Sequence, residues 1–395
     1  MKSRLRMLCS LAIITGLAMA AGLLAGCSQA KKEKVEEVKE PYKIGAIFAV
    51  TGRAAPLGEP EKETAEMLVA QINEAGGING HKLELIVEDD EGDETKSLMA
   101  AKKLIEKDQV LAVVGTTTSG TTLAIMKTFE EAQTPLVSCA ASVKIVEPVN
   151  PWVFKTPQSD RDAVLKILEY LEAQGINKIA FINDSNAYGV SGKIEIEALA
   201  PQRGVEIVAK ETFGGEDTDM TPQLTRIKGT KAQAVICWGT NPGPAIVARN
   251  MKQLKMSIPL IQSHGVANAK FVELAGDAAE GVLLPSGRLI VAEQLPDGHP
   301  QKQMLIDYKT AYTGKYNKPV STFGGHAYDA IKILAGALER GGADKAKIRD
   351  EIENTKNFVG TAGVFNYSPE DHYGLDVSAF SMVEIKGGQW QLVSE

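Results

Sequence analysis

From Tyr42 onward the apolar positions change period repeatedly. Short runs that are continuous or alternate every second residue give way to segments with three- and four-residue spacing. The stretch YKIGAIFAV, residues 42 to 50, is an apolar run that stops at Thr51-Gly52. Ala65, Leu68, Val69 and Ile72 then follow helical spacing, which Gly76-Gly77 ends. KLELIVEDD sets Leu83, Leu85 and Val87 on one side of a strand, and LAVVG, TPLVS, KIAFIND, AQAVICWG and IPLIQS repeat the strand pattern with helix-length segments between them. This beat predicts α/β units built on parallel sheets. Such sheets bind ligands at the carboxyl ends of their strands. The loops at those ends (AVTGRAAPLGEP, VVGTTTSGTT, VSCAASVK, INDSNAYGVSG, CWGTNPGP and QSHGVAN) are mostly rich in Gly, Ser, Thr and Asn, which is also ordinary turn chemistry.

The first 41 residues follow a different pattern. Lys2, Arg4 and Arg6 precede an apolar stretch from Met7 to Leu24 that ends in LAGC at Cys27, the layout of an export signal over residues 1 to 26. The apolar stretch, 18 residues from Met7 to Leu24, is short of the roughly 20 that a membrane-spanning helix needs. LAGC resembles the bacterial lipobox, which implies cleavage before Cys27 and lipidation of that cysteine. Residues 27 to 41, poor in aromatic and long apolar side chains, read as a solvated tether. The expectation is an exported protein held by a lipid anchor at the outer side of a bacterial membrane, periplasmic or at the cell surface. Cys139 and Cys237 then remain in the exported part, where a disulfide is permitted but nothing in the sequence brings them together.

With 395 residues, 44% hydrophobic and 24% charged, the chain is longer than one domain usually runs. A net charge of −7 without a long basic run argues against nucleic acid as a partner and favours a small ligand. The five histidines are scattered and no HExxH or CxxC occurs, so no metal and no cofactor are expected. His264 and His326, at QSHGVAN and FGGHAYDA, are the two placed to face a cleft. In VVGTTTSGTT, Gly115 and Gly120 have phosphate-loop spacing, but Thr121 stands where the lysine belongs. Ser119 also lacks the leading glycine of a nucleophile elbow. What remains is a helix start capped by Ser119 or Thr121, whose free N–H groups and dipole suit an anion that is held and not transformed. VSCAASVK adds Ser138, Ser142 and small residues, and two such loops can surround a carboxylate.

IGAIFAVTGRAAPLG, AQINEAGGINGHKLELIVEDDEGD, VVGTTTSG, NDSNAYGVSG and ELAGDAAEGVLL together resemble the leucine/isoleucine/valine-binding proteins of ABC importers, of the type I periplasmic binding protein fold, over nearly the whole chain from Tyr42. The resemblance implies an α/β fold of two Rossmann-like lobes joined by a three-crossover hinge. It puts the crossovers near Thr156, Gly287 and Gly360, with an N-terminal lobe of residues 42–156 plus 288–359 and a C-terminal lobe of 157–287 plus 360–395. It implies a monomer without catalytic residues that delivers a small carboxylate, first of all a branched-chain or other hydrophobic amino acid, to membrane permease subunits. Its carboxylate-binding positions fall on Ser119, Ala140 and Ser142, and its closing tyrosine falls on Tyr188.

Three positions depart from the family. His264 stands where the acid that accepts the ligand's ammonium belongs, Thr240 where a second tyrosine does, and Leu57 where an aromatic wall does. Thr118 and Gly92 occupy the places of a disulfide found in some relatives, and Thr118 joins the residues expected to shape selectivity. Either another acid holds the amine, or the ligand is an amine-free aromatic or aliphatic carboxylate, with a protonated His264 available to a further acidic group. A ligand-sensing module would share these residues. An enzyme would use Ser119 with His264, but no third group orients the histidine.

Overall fold

The structure is a computed structural model that describes residues 39 to 394. The expected signal segment, Cys27 and most of the tether lie outside the described residues. Strands β1 (Tyr42–Phe48), β2 (Leu83–Asp89), β3 (Val113–Gly115), β4 (Leu136–Ser138) and β5 (Val153–Lys155) form a parallel sheet in the order β2-β1-β3-β4-β5. A second sheet takes β6 (Lys178–Asp184), β7 (Glu206–Phe213), β8 (Ala234–Trp238), β9 (Leu260–Gln262) and β10 (Leu283–Ser286). After the short pair β11 (Phe358–Val359) and β12 (Val364–Phe365), the hairpin β13 (Ser381–Lys386) and β14 (Gln389–Ser394) completes it. Its order is β14-β13-β10-β9-β8-β6-β7, parallel from β7 to β10 and antiparallel at the hairpin.

Helices cover both faces of each sheet, which is why the strands read as near-continuous apolar runs. All five residues of β8 are buried. In the first lobe, Ile44, Ala46 and Phe48 pack with Leu68 of the helix Ala55–Glu74 and with Ala330 and Leu334 of the helix Thr322–Gly341. Leu104, Ile125 and Phe129 cover the other face. In the second lobe, Val164 and Ile167 pack with Phe181 and Trp238 on one face, while Val247 and Phe271 pack with Ile182 and Cys237 on the other. Cys139 and Cys237 are both buried free thiols.

The chain leaves the first sheet at β5 and enters the helix Asp160–Ala173, part of the second lobe's core. It returns after β10, where Leu289 and Leu295 pack with Met67. The last passage differs from the expected position near Gly360. Ala362, Phe365 and Tyr367 are buried in the first lobe's core, and the chain joins the second sheet only at Ser381. The cause is Asp329, which accepts the Thr361 and Ala362 N–H groups at 2.6 and 2.9 Å and so holds this segment against the first lobe. Gln158 ties the passages together: its Nε2 donates to the Ala362 and Ala379 carbonyls at 2.8 and 3.4 Å, and Gly287 lies against the same amide. Among the described residues no helix is long and apolar enough to cross a membrane.

Candidate functional site

The segments after β1, β2, β3, β4, β6, β8 and β9, with the start of the helix Thr322–Gly341, line a cavity of about 270 Å³. Both lobes contribute, and they touch around it. Ser142 Oγ lies 2.9 Å from Ser191 Oγ, and Arg53 reaches across to Asp184 at 3.6 Å.

The Ser/Thr/Gly cluster is first of all a structural device. Thr118 Oγ1 lies 2.8 Å from Thr121 Oγ1, which lies 2.6 Å from Thr116 Oγ1. Thr116 continues to Thr122 at 2.9 Å, and Thr122 to Ser138 Oγ at 2.9 Å. This chain of hydroxyls ties the loop after β3 to the loop after β4. The cap of the helix Ser119–Glu131 is Thr118, whose Oγ1 accepts the Thr121 N–H at 3.4 Å, rather than Ser119 or Thr121. That leaves Ser119 free for other work. Its Oγ accepts the Ser142 N–H at 3.3 Å, so its own proton is available to donate. The N–H groups of Ser119 and Gly120 have no acceptor among the described residues, as expected for the first turn of a helix.

Ser119, Thr118, Ala140, Leu57, Tyr188, Thr240 and His264 all line the cavity. Ser142 does not. Its hydroxyl is taken by Ser191 and by the cap of the following turn, where it accepts the Lys144 N–H at 3.3 Å, so its role is to support Ser119 and join the lobes. The Ala140 N–H is also engaged, donating to Ser138 Oγ at 3.1 Å. Phe323 adds an aromatic side chain to the lining that Leu57 shares. Arg53, Asn241 and Phe323 were missed from sequence, since each sits in a stretch that reads as an ordinary turn or helix start.

His264 lies in the short turn after β9, capped between Tyr188 and Trp238. Its Nδ1 is 3.3 Å from the Tyr188 hydroxyl, and its ring meets Trp238 edge-on at 6.0 Å. Burial, then His326 and Lys155, push its pKa down to about 3, so the ring is neutral near pH 7. The expectation of a protonated His264 is therefore corrected: a desolvated imidazole in the field of the Lys155 ammonium does not keep the proton. His326 is likewise held down to about 3 by burial and by Lys155. The hydrogen-bond partner of His264 is Tyr188, while Ser119 is bonded to Ser142, so the two are not linked as a nucleophile and its base.

The family model described as periplasmic binding protein matches residues 41–389. The chain belongs to the periplasmic binding protein family. It is 27% identical over 316 residues to the leucine-, isoleucine-, valine-, threonine- and alanine-binding protein of Pseudomonas aeruginosa, covering 79% of this chain and 82% of that one. The Leu/Ile/Val-binding protein of Escherichia coli K12 is 25% identical, with 80% and 84% covered. Among solved structures, an extracellular ligand-binding receptor from Rhodopseudomonas palustris HaA2 superposes with a TM-score of 0.84 at 27% identity, over 90% of this chain and 100% of that one. The branched-chain amino acid transporter substrate-binding protein of Streptococcus pneumoniae, in complex with isoleucine, gives 0.80 at 26% identity with the same coverage. These relatives are binding proteins, and two lobes around a cavity are the architecture this chain shares with them.

Proposed function

We propose that this protein is the solute-binding subunit of an ABC importer, tethered through Cys27 outside the cytoplasm, which closes two lobes on a small organic carboxylate and hands it to membrane permease subunits. The lobes would move about the passages gathered at Gln158, with Tyr188 as the lid. The observation that carries this reading is the cavity wall at Ser119. A hydroxyl proton and the free N–H groups of Ser119 and Gly120 meet there at a helix start, a set of donors that holds an anion reversibly. The ligands named for the relatives make a branched-chain or other hydrophobic amino acid the first cargo class to test. Ser119→Ala is expected to weaken carboxylate binding by about 1 to 3 kcal/mol, since it removes a donor to the anion and leaves the buried Ser142 N–H without its acceptor. Unchanged affinity in titration calorimetry would remove Ser119 from the site.

One observation favours the second class, an amine-free aromatic or aliphatic carboxylate. The neutral His264 offers no counter-charge to an ammonium, and the charged residues lining the cavity are Arg53, Glu91 and Glu94, of which both acids are exposed. His264→Glu is expected to improve leucine binding about tenfold or more by supplying that charge. If leucine gains nothing while an amine-free acid still binds the wild type, the cargo is not an amino acid.

A further inference from the structure

Asn241, His264 and His326 enter the cavity wall from three separate segments: the loop after β8, the turn after β9 and the helix Thr322–Gly341. All three are more than nine-tenths buried, with 3%, 7% and 5% of their surfaces exposed. Both amide atoms of Asn241, Nε2 of His264 and Nδ1 of His326 have no hydrogen-bond partner among the described residues. Buried polar atoms are nearly always paired, so several orphaned in the wall of one cavity point to a partner that arrives with the ligand.

The chemistry of the three side chains narrows that partner. A carboxamide both donates and accepts, and so does a neutral imidazole, while neither brings a formal charge. An ammonium only donates, and a carboxylate only accepts. A hydroxyl does both and is uncharged. Of the charges in the lining, Arg53 pairs with Asp184 at 3.6 Å, Glu91 pairs with Lys96 at 2.5 Å, and Glu94 is exposed to solvent. The cavity, about 270 Å³, falls below the roughly 300 to 1,000 Å³ of sites for drug-sized molecules, which limits the ligand to a small one.

We infer that the ligand is a small hydroxy-carboxylate, its carboxylate held at Ser119 and its hydroxyl recognised by Asn241 together with His264 and His326. This rests on the carboxylate reading of the same site given above, and it adds Asn241 and His326 as specificity-determining residues. The hydroxyl would satisfy side chains that an acid without it leaves unpaired, which is how a polar site discriminates against an analogue lacking one group.

Titration calorimetry on the whole protein compares matched pairs: benzoate with 4-hydroxybenzoate, and 4-methylpentanoate with 2-hydroxy-4-methylpentanoate, with leucine as the ammonium counterpart. In at least one pair the hydroxy acid is expected to bind about tenfold or more tighter than its parent and tighter than leucine. Asn241→Leu and His326→Phe, each checked for a native melting transition, are expected to shrink that ratio, the hydroxy acid losing more affinity than its parent. Two such variants on different lobes guard against one failing to fold. Equal affinities within both pairs, or leucine binding more tightly than every hydroxy acid, would overturn the inference and leave carboxylate capture standing. Binding by none of the acids, or binding that Ser119→Ala leaves unchanged, would remove both readings.

Discussion

Gly189→Ala is expected to destabilise the protein by about 3 kcal/mol or more, at the upper end of what overpacking costs, and to abolish ligand binding with it. A Cβ at this position would lie 1.9 Å from the Asp184 carbonyl oxygen and 2.7 Å from its carbon, a backbone group that cannot turn aside. Neither partner is free to yield. The Gly189 N–H is fixed to the Asn186 cap at 2.8 Å, and Asp184 closes β6 between its neighbours β7 and β8. The start of the helix Ala187–Leu199 would have to lift off the sheet, carrying Tyr188 out of the cavity. Gly192→Ala meets the buried Trp238 ring at 2.3 Å and is expected to act in the same direction. Val190, exposed between them, serves as the control, since Val190→Ala is expected to change little. Urea unfolding with an unchanged m-value and a lowered midpoint is the signature for both glycines. A wild-type midpoint for Gly189→Ala would mean that this helix start does not sit where the structure puts it.

Those two glycines lie inside NDSNAYGVSG, and they show what kind of information the sequence carries openly. Parallel strands covered on both faces announce themselves as apolar runs, so β1, β6 and β8 are readable directly. The edge strand β7 is exposed or half-buried at all but its last position, without a strict alternation, and ends its sheet, so its pattern is weaker. Local spacing says nothing about Asp329, which lies 32 residues before the segment it anchors in the last passage between lobes. At the site, loop composition pointed to the loops around Ser119 and Ala140. It could not reveal that Ser142 is spent on Ser191, a partner 49 residues away on the other lobe. The same holds for His264. Its position was legible, but its neutrality depends on being buried among Tyr188, Trp238 and Phe380, contacts that only the folded chain creates.

That neutrality has a measurable consequence for stability. His264 and His326 both have pKa values pushed from 6.5 down to about 3, with burial the largest cause in each. In the folded protein they stay neutral on acidification, whereas in the unfolded chain they bind protons below pH 6.5. The unfolded state therefore gains protons first, and stability present above pH 6.5 is lost as pH falls toward about 3. Near pH 4.5 the loss amounts to about 2 to 3 kcal/mol per ring. Buried carboxyls act in the opposite sense: Asp160 is raised to about 6, Asp329 to about 7 and Glu61 well above its usual range, all chiefly by burial, so their contributions are lost as pH rises through the folded values. The wild-type profile sums these opposing slopes, and the histidine contribution is best read as a difference. A His264→Gln/His326→Gln double variant keeps neutral polar groups but cannot titrate. Between pH 7 and 4.5 it is expected to gain about 4 to 6 kcal/mol relative to wild type in denaturant unfolding, with the gain beginning near pH 6.5. Parallel curves across that range would mean that the two rings are hydrated in the folded protein, and the neutral, desolvated wall on which ligand selection rests would have to be abandoned.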